Sequence, residues 1–248
     1  MKPQPILIEN PTAKPEELIA SSFDEDLVAA AKHSSLNEDL ALAILRRRDL
    51  PASVLEALGR NASVIKYRKV LVGLVEHQHT PRHVSLPLLR RLFTFELMQV
   101  ALAPAVLPDV KLLAQEVLIT KLGTLSMGER ITLARQASSA VAGALLLHTE
   151  PQIIEAALQN PRTTEAGIVK ALAKPAVPAV FLTMLVDDQK WSLRREIQIG
   201  ILCRPEATDP QVLRIAARLP KRVLQELIAQ FKLPARRTQM LQRALLES

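Results

Sequence analysis

The run Glu76-His77-Gln78-His79-Thr80-Pro81-Arg82-His83 is the densest collection of groups in this chain that could do chemistry. His79 and His83 stand four apart, a spacing that holds a metal ion when both lie on one helix face. Pro81 falls between them and starts a new helix, which separates the two imidazoles, so the run reads as an inter-helix turn. Cys203 is the only cysteine and follows the apolar residues Ile197, Ile199, Ile201 and Leu202 near a helix end. It reads as a small structural residue, not a nucleophile. One Cys with five scattered His leaves neither a disulfide framework nor a closed zinc site. The chain carries no Gly-rich phosphate loop, no G-x-S-x-G elbow and no H-E-x-x-H. A non-enzymatic protein without cofactors is expected.

Charge is more informative. Residues 189–248 hold 12 Lys/Arg against 5 Asp/Glu, so the whole net charge of +7 sits in the last quarter. Basic clusters recur at Arg46-Arg47-Arg48, Arg90-Arg91, Arg194-Arg195, Lys221-Arg222 and Arg236-Arg237. Arg194, Arg195, Arg214, Arg218, Lys221, Arg222, Arg236 and Arg237 are therefore the candidate contact residues. Another protein is the expected partner; an acidic surface or nucleic acid is the alternative, gripped through phosphates without base reading. Aromatics make up 3% of the chain. With Trp191, Tyr67 and the five Phe mostly in core register, stacking on single strands is not expected.

The elements that carry these side chains follow from composition. A chain that is 48% hydrophobic, has only 7 Gly, and is built from Ala, Leu, Arg, Glu and Gln reads as all-α. Pro3, Pro5, Pro11 and Pro15 make residues 1–15 an extended arm. Short amphipathic helices follow, among them 24–33, 52–60, 63–76, 191–203 and 235–246. Capping-box spacings at Ser22/Glu25, Ser35/Glu38, Ser53/Glu56, Ser126/Glu129, Thr149/Gln152 and Thr208/Gln211 mark helix starts. No apolar run is long enough to span a bilayer or serve as a secretory signal, so a cytoplasmic location is expected and no membrane partner.

The helices resemble one another. Shifting 191–204 back by 127 residues lays it on Val64 to His77, with Arg195 on Arg68, Ile197 on Val70, Gly200 on Gly73 and Leu202 on Val75. A shift of 44 lays Leu158, Pro161, Thr164 and Ile168 on Leu202, Pro205, Thr208 and Val212. Two-helix units of about 30 to 45 residues with such likeness mark an α-solenoid over 16–248, with a possible sub-boundary near 104–126. Gly73, Gly143 and Gly200 inside helices point to close helix approach.

Asp187-Asp188 ahead of Trp191-Ser-Leu-Arg-Arg-Glu-Ile-Gln-Ile-Gly-Ile-Leu resembles the HEAT-repeat pattern, and Leu158 to Thr164 is similar to a phrase of leucine-rich-repeat-variant bacterial solenoids. The resemblance implies a right-handed α-α superhelix of short antiparallel helix pairs acting as an interaction scaffold. It implies that Asp188 and Arg194 or Arg195 support neighbouring repeats. The iron–sulfur module carried by some relatives of that kind is not expected, because its cysteines are missing. HEAT-like solenoids also include alkylpurine DNA glycosylases, which hold a damaged nucleotide with an acid and aromatics. Trp191 with Asp187 and Asp188 is the grouping here that could do so, although it coincides with the repeat signature.

Overall fold

In a computed structural model, which describes residues 5, 6, 13–230, 233 and 235–247, the chain is all-α, with no strand among the described residues. It divides into two compact units, residues 1–121 and 122–248, and the division falls within the 104–126 interval.

The first unit contains α1 (Pro15–Ala20), α2 (Asp24–Lys32), α3 (Glu38–Leu45), α4 (Ala52–Arg60), α5 (Arg68–Glu76), α6 (Arg82–Leu89), α7 (Thr94–Leu102) and α8 (Pro108–Lys121). The second contains α9 (Met127–Gln136), α10 (Ser139–Leu145), α11 (Pro151–Gln159), α12 (Glu165–Leu172), α13 (Ala179–Asp187), α14 (Arg195–Leu202), α15 (Asp209–Ala216), α16 (Lys221–Gln230) and α17 (Ala235–Glu247). Adding 127 to the bounds of α2, α3, α4 and α6 gives those of α11, α12, α13 and α15. The likeness seen around Val64 and Trp191 therefore extends through both units. The 44-residue shift is different: it lays α11 on α14, helices of different rows.

Within each unit alternate helices pack together. In the first, α1, α3, α5 and α7 form one row, while α2 packs on α4 and α6 on α8. In the second, α9, α11, α13, α15 and α17 form one row and α10, α12 and α14 another. From α2 and from α11 onward, row-mates start 26 to 30 residues apart, shorter than the 30 to 45 expected. Burial follows the rows. On α11, Ile153, Ile154, Ala156, Ala157 and Leu158 are buried while Gln152, Glu155 and Gln159 face solvent, the one-sided stripe of an amphipathic helix.

Of the capping boxes, Ser126/Glu129 and Thr208/Gln211 form. Ser22, Ser35, Ser53 and Thr149 do not cap, because Phe23, Asn37, Pro51 and Glu150 occupy the N-cap positions. Asn37 and Thr164, 127 residues apart, cap α3 and α12 by accepting from the amides of Leu40 and Gly167.

The last carbonyls of a helix have no partner inside it. Here a side chain from the next row-mate's end supplies one. Arg47 donates to Ile19 and Ser21 carbonyls, and His77 Nε2 to that of Arg47 at 2.9 Å. Asn61 Nδ2 reaches Ala31 and His33, and buried Asn160 reaches Ala134 and Ala137. Arg204 takes the carbonyls of Leu172, Lys174 and Pro175. His77 on Arg47 and Arg204 on Lys174 are the same contact in the two units, since both residues move by 127.

Gly73 and Gly200 are equivalent too. A Cβ at Gly73 would lie 3.1 Å from Leu45 Cδ1, and one at Gly200 2.8 Å from Leu172 Cδ1. Gly143 is less tight, at 3.6 Å from the Gly167 carbonyl. Gly200→Val should cost roughly 1–3 kcal/mol through overpacking, since the branched side chain has to displace Leu172. Gly200→Ala should cost less, because only a flexible methyl must move. Thermal unfolding checks this order, and a Val variant as stable as the native chain would refute it.

Of the N-terminal arm, residues 1–4 and 7–12 lie outside the described residues. The Ile6 amide donates to buried Asp26 Oδ2 at 2.8 Å, and Pro15 begins α1, so residue 15 is helical and not extended.

Candidate protein-docking surfaces

The expected helix over 191–203 starts late, at Arg195. Asp188 accepts from the amides of Lys190 (2.8 Å) and Trp191 (2.7 Å), which turns the chain and buries the indole at 4% exposure. The indole N–H then donates to the Leu158 carbonyl at 3.0 Å, so Trp191 closes the end of α11. Asp187 pairs with Arg214. All three members of the acid–aromatic grouping are thus occupied within the fold.

The eight candidate contact residues separate into three groups. Arg237 is buried, at 7% exposure, and its guanidinium donates to the carbonyls of Leu202, Arg204 and Ala207. It cannot be a contact residue as expected; it caps α14. Its pKa is lowered by that burial, with Asp209 and other neighbours pulling the other way. Arg214 and Arg236 are exposed but paired, with Asp187 and Asp209.

The other five gather at one corner of the second unit. Arg218 Nη1 donates to Ser192 Oγ at 3.0 Å, which ties the end of α15 to the turn before α14. Arg195 and Arg222 approach Glu226 at 3.7 and 3.0 Å. Arg194 and Lys221 lie beside them in the chain and are exposed. Leu193 stands in this corner at 67% exposure. Neither Arg194 nor Arg195 makes the repeat-to-repeat carbonyl contacts made by Arg204 and Arg237; Arg195 supports its neighbour only through Glu226.

The equivalent corner of the first unit, 127 residues earlier, contains Lys66, Tyr67, Arg68, Arg91, Phe93 and Phe95. Arg68 pairs with Glu96 and donates to the Arg91 carbonyl at 3.0 Å. Its Cζ lies 3.9 Å from the centroid of the Phe93 ring. Burial tends to raise the Glu96 carboxyl, but Arg68 and the Phe93 amide hold it below the usual carboxylate range. Phe93 is 65% exposed and Phe95 43%. The expectation that the Phe residues sit mostly in core register is therefore corrected. Of those described, only Phe181 is buried; Phe23 is partly so, and Phe231 lies outside the described residues. The signal is present in the sequence as Phe93-Thr-Phe95, separated from Arg90-Arg91 by Leu92 alone.

No protein-family model, curated protein or solved structure matches this chain.

The remaining candidates are structural. His79 Nδ1 contacts the Leu50 carbonyl at 3.2 Å and His83 approaches Glu56 at 3.3 Å, so the two imidazoles are committed separately. No metal-competent group of His, Cys, Asp and Glu occurs among the described residues. Burial pushes the Cys203 thiol up while Arg237 pulls it down. No helix among the described residues is long and apolar enough to cross a membrane.

Two hollows in the first unit have no signature in the sequence. One, of about 590 Å³, is walled by Leu45, Arg46, Arg47, Arg48, His77, Gln78, Pro104 and Ala105. The other, of about 270 Å³, is walled by Arg68, Lys69, Val72, Glu96 and Gln99. Gly73 and Glu76 line both, which joins them along α5.

Proposed function

We propose that this chain is a non-enzymatic, HEAT-like α-solenoid scaffold that docks another protein. The observation that carries the reading is the repetition of one kind of corner in both units. Each sets a large apolar side chain, Phe93 or Leu193, in solvent beside arginine, although the anchors sit at different positions of the copy, Leu193 where Lys66 stands and Phe93 where Pro220 stands. An exposed apolar anchor beside arginine has the composition of an interface hot spot. The helix ends behind each corner are closed by side-chain caps. The corner would then be rigid before binding, which lowers the ordering cost of association. A right-handed superhelix within each unit fits the packing of alternate helices in rows.

Nucleic-acid binding by the last quarter is less well supported, because Arg195, Arg214, Arg222 and Arg236 already face acids and Arg237 is buried. Co-purification from the native host with the full chain tests the scaffold reading. A specific protein should be recovered with the native chain and lost with Phe93→Ser/Phe95→Ser combined with Leu193→Ser. Retention of the same protein by that variant, or recovery of none, would sink the reading.

A further inference from the structure

We infer that the groove along α5 of the first unit receives an acidic, extended peptide segment carrying an apolar anchor, supplied by the scaffold's partner. The inference rests on the scaffold reading and adds the chemistry of what is docked. Gly73 lines both hollows and lets Leu45 of α3 pack closely on the middle of α5, so the two hollows run together along that helix. Nine residues of α5 give a track of about 12 Å at 1.5 Å per residue. An extended segment of about four residues covers that length.

The charges along the track are unequal. Arg47 is spent on the Ile19 and Ser21 carbonyls, and Arg68 on Glu96. Arg46 and Arg48 at one end and Lys69 at the other are exposed. They take part in none of the ion pairs among the described residues. Two carboxylates line the floor and wall. Glu96 is neutralised by Arg68, and Glu76 accepts from Gln99 Nε2 at 2.8 Å without a cationic partner. Asp49, exposed beside Arg48, offsets part of that end. The unmatched charge is positive at both ends, and the anchor site is Phe93, which contacts two wall residues of the smaller hollow: its ring rests on Arg68 and its amide donates to Glu96.

This pattern fits a peptide better than a nucleic acid strand. A peptide can put carboxylates on Arg46, Arg48 and Lys69 while presenting a backbone N–H to Glu76. A single strand brings a phosphate with every nucleotide and must set one against Glu76. Phe93 then receives an apolar side chain instead of a base.

The test uses the full chain and fluorescence anisotropy with a labelled twelve-residue peptide of Asp and Glu around a central Phe and Leu. Comparison probes replace the acids with Lys, replace Phe and Leu with Ser, or substitute oligo(dT). The acidic apolar peptide should bind best, and added salt should weaken it. Arg46→Glu/Arg48→Glu and, separately, Phe93→Ser should each weaken it about tenfold or more. Glu76→Gln should tighten it, a gain that damage to the fold would not produce; circular dichroism checks the fold of every variant. The inference is overturned if the acidic peptide does not bind or the Lys peptide binds equally. It is also overturned if Glu76→Gln weakens binding, or if oligo(dT) binds at least as tightly with the same dependence on Phe93, which would make the groove a single-strand site. Should a host protein be lost with the Phe93, Phe95 and Leu193 variant while the acidic peptide fails to bind, the scaffold reading stands and only the acidic-segment inference falls.

Discussion

Trp191→Ala is expected to lower the unfolding free energy by about 3–5 kcal/mol, the range for removing a large buried aromatic. The indole fills the turn between α13 and α14 at 4% exposure, and its N–H closes α11 through the Leu158 carbonyl. Trp191→Phe separates the two contributions. It keeps most of the apolar volume but leaves that carbonyl without its donor, which costs about 1–3 kcal/mol. Urea unfolding followed by circular dichroism should therefore rank the native chain above Trp191→Phe and that above Trp191→Ala. A loss below 1 kcal/mol for the Ala variant would show that the turn does not hold the two helices together.

Adjacent arginines provide the second large effect. Arg237→Leu removes a buried cap and leaves the carbonyls of Leu202, Arg204 and Ala207 short of a donor, at a cost of about 3 kcal/mol or more. Lys at this position supplies a point charge instead of a fork and should restore only part of the loss. Arg236→Ala, one residue away, breaks an exposed pair with Asp209 and should cost about 0–1 kcal/mol. Trp191 is the only tryptophan and lies in the same unit, so its fluorescence on unfolding reports both variants. Equal effects at 236 and 237 would refute the assignment of Arg237 as a cap.

That pair also shows where sequence reading stops. Arg236 and Arg237 are the same residue type at neighbouring positions, and nothing local tells them apart. The difference arises because one side of α17 faces the end of α14, a contact between residues some 30 to 35 apart in the chain. Intervals within one helix were far more legible. The all-α class and the 52–60 helix follow from periodicity and proline, and the 127-residue likeness follows from matched apolar positions and Gly73/Gly200. The Ser53/Glu56 spacing does not form a capping box, because Pro51 is the N-cap and Ser53 falls inside α4. Phe93 was misplaced because it is the residue before α7, where helical periodicity no longer assigns a face. The groove along α5 has no linear signature, since α3, α5 and the loop after α7 all contribute walls.

The ion pairs at the ends of the two units carry a final consequence. Arg82 of α6 meets Asp109 of α8 at 2.7 Å, and at the equivalent place Asp209 of α15 meets Arg236 of α17. The partners have exchanged sign between the copies. A chain that contains two versions of one fold risks having a closing helix settle on the wrong half during folding, the characteristic error of repeated sequences. With these signs, α17 laid against α6 would set Arg236 facing Arg82, and α8 laid against α15 would set Asp109 facing Asp209. Each misassembly exchanges an attraction for a repulsion, while each native closure keeps its own attraction. The reversed signs thus favour each native closure over either exchange, by about 0–1 kcal/mol, the contribution of an exposed pair.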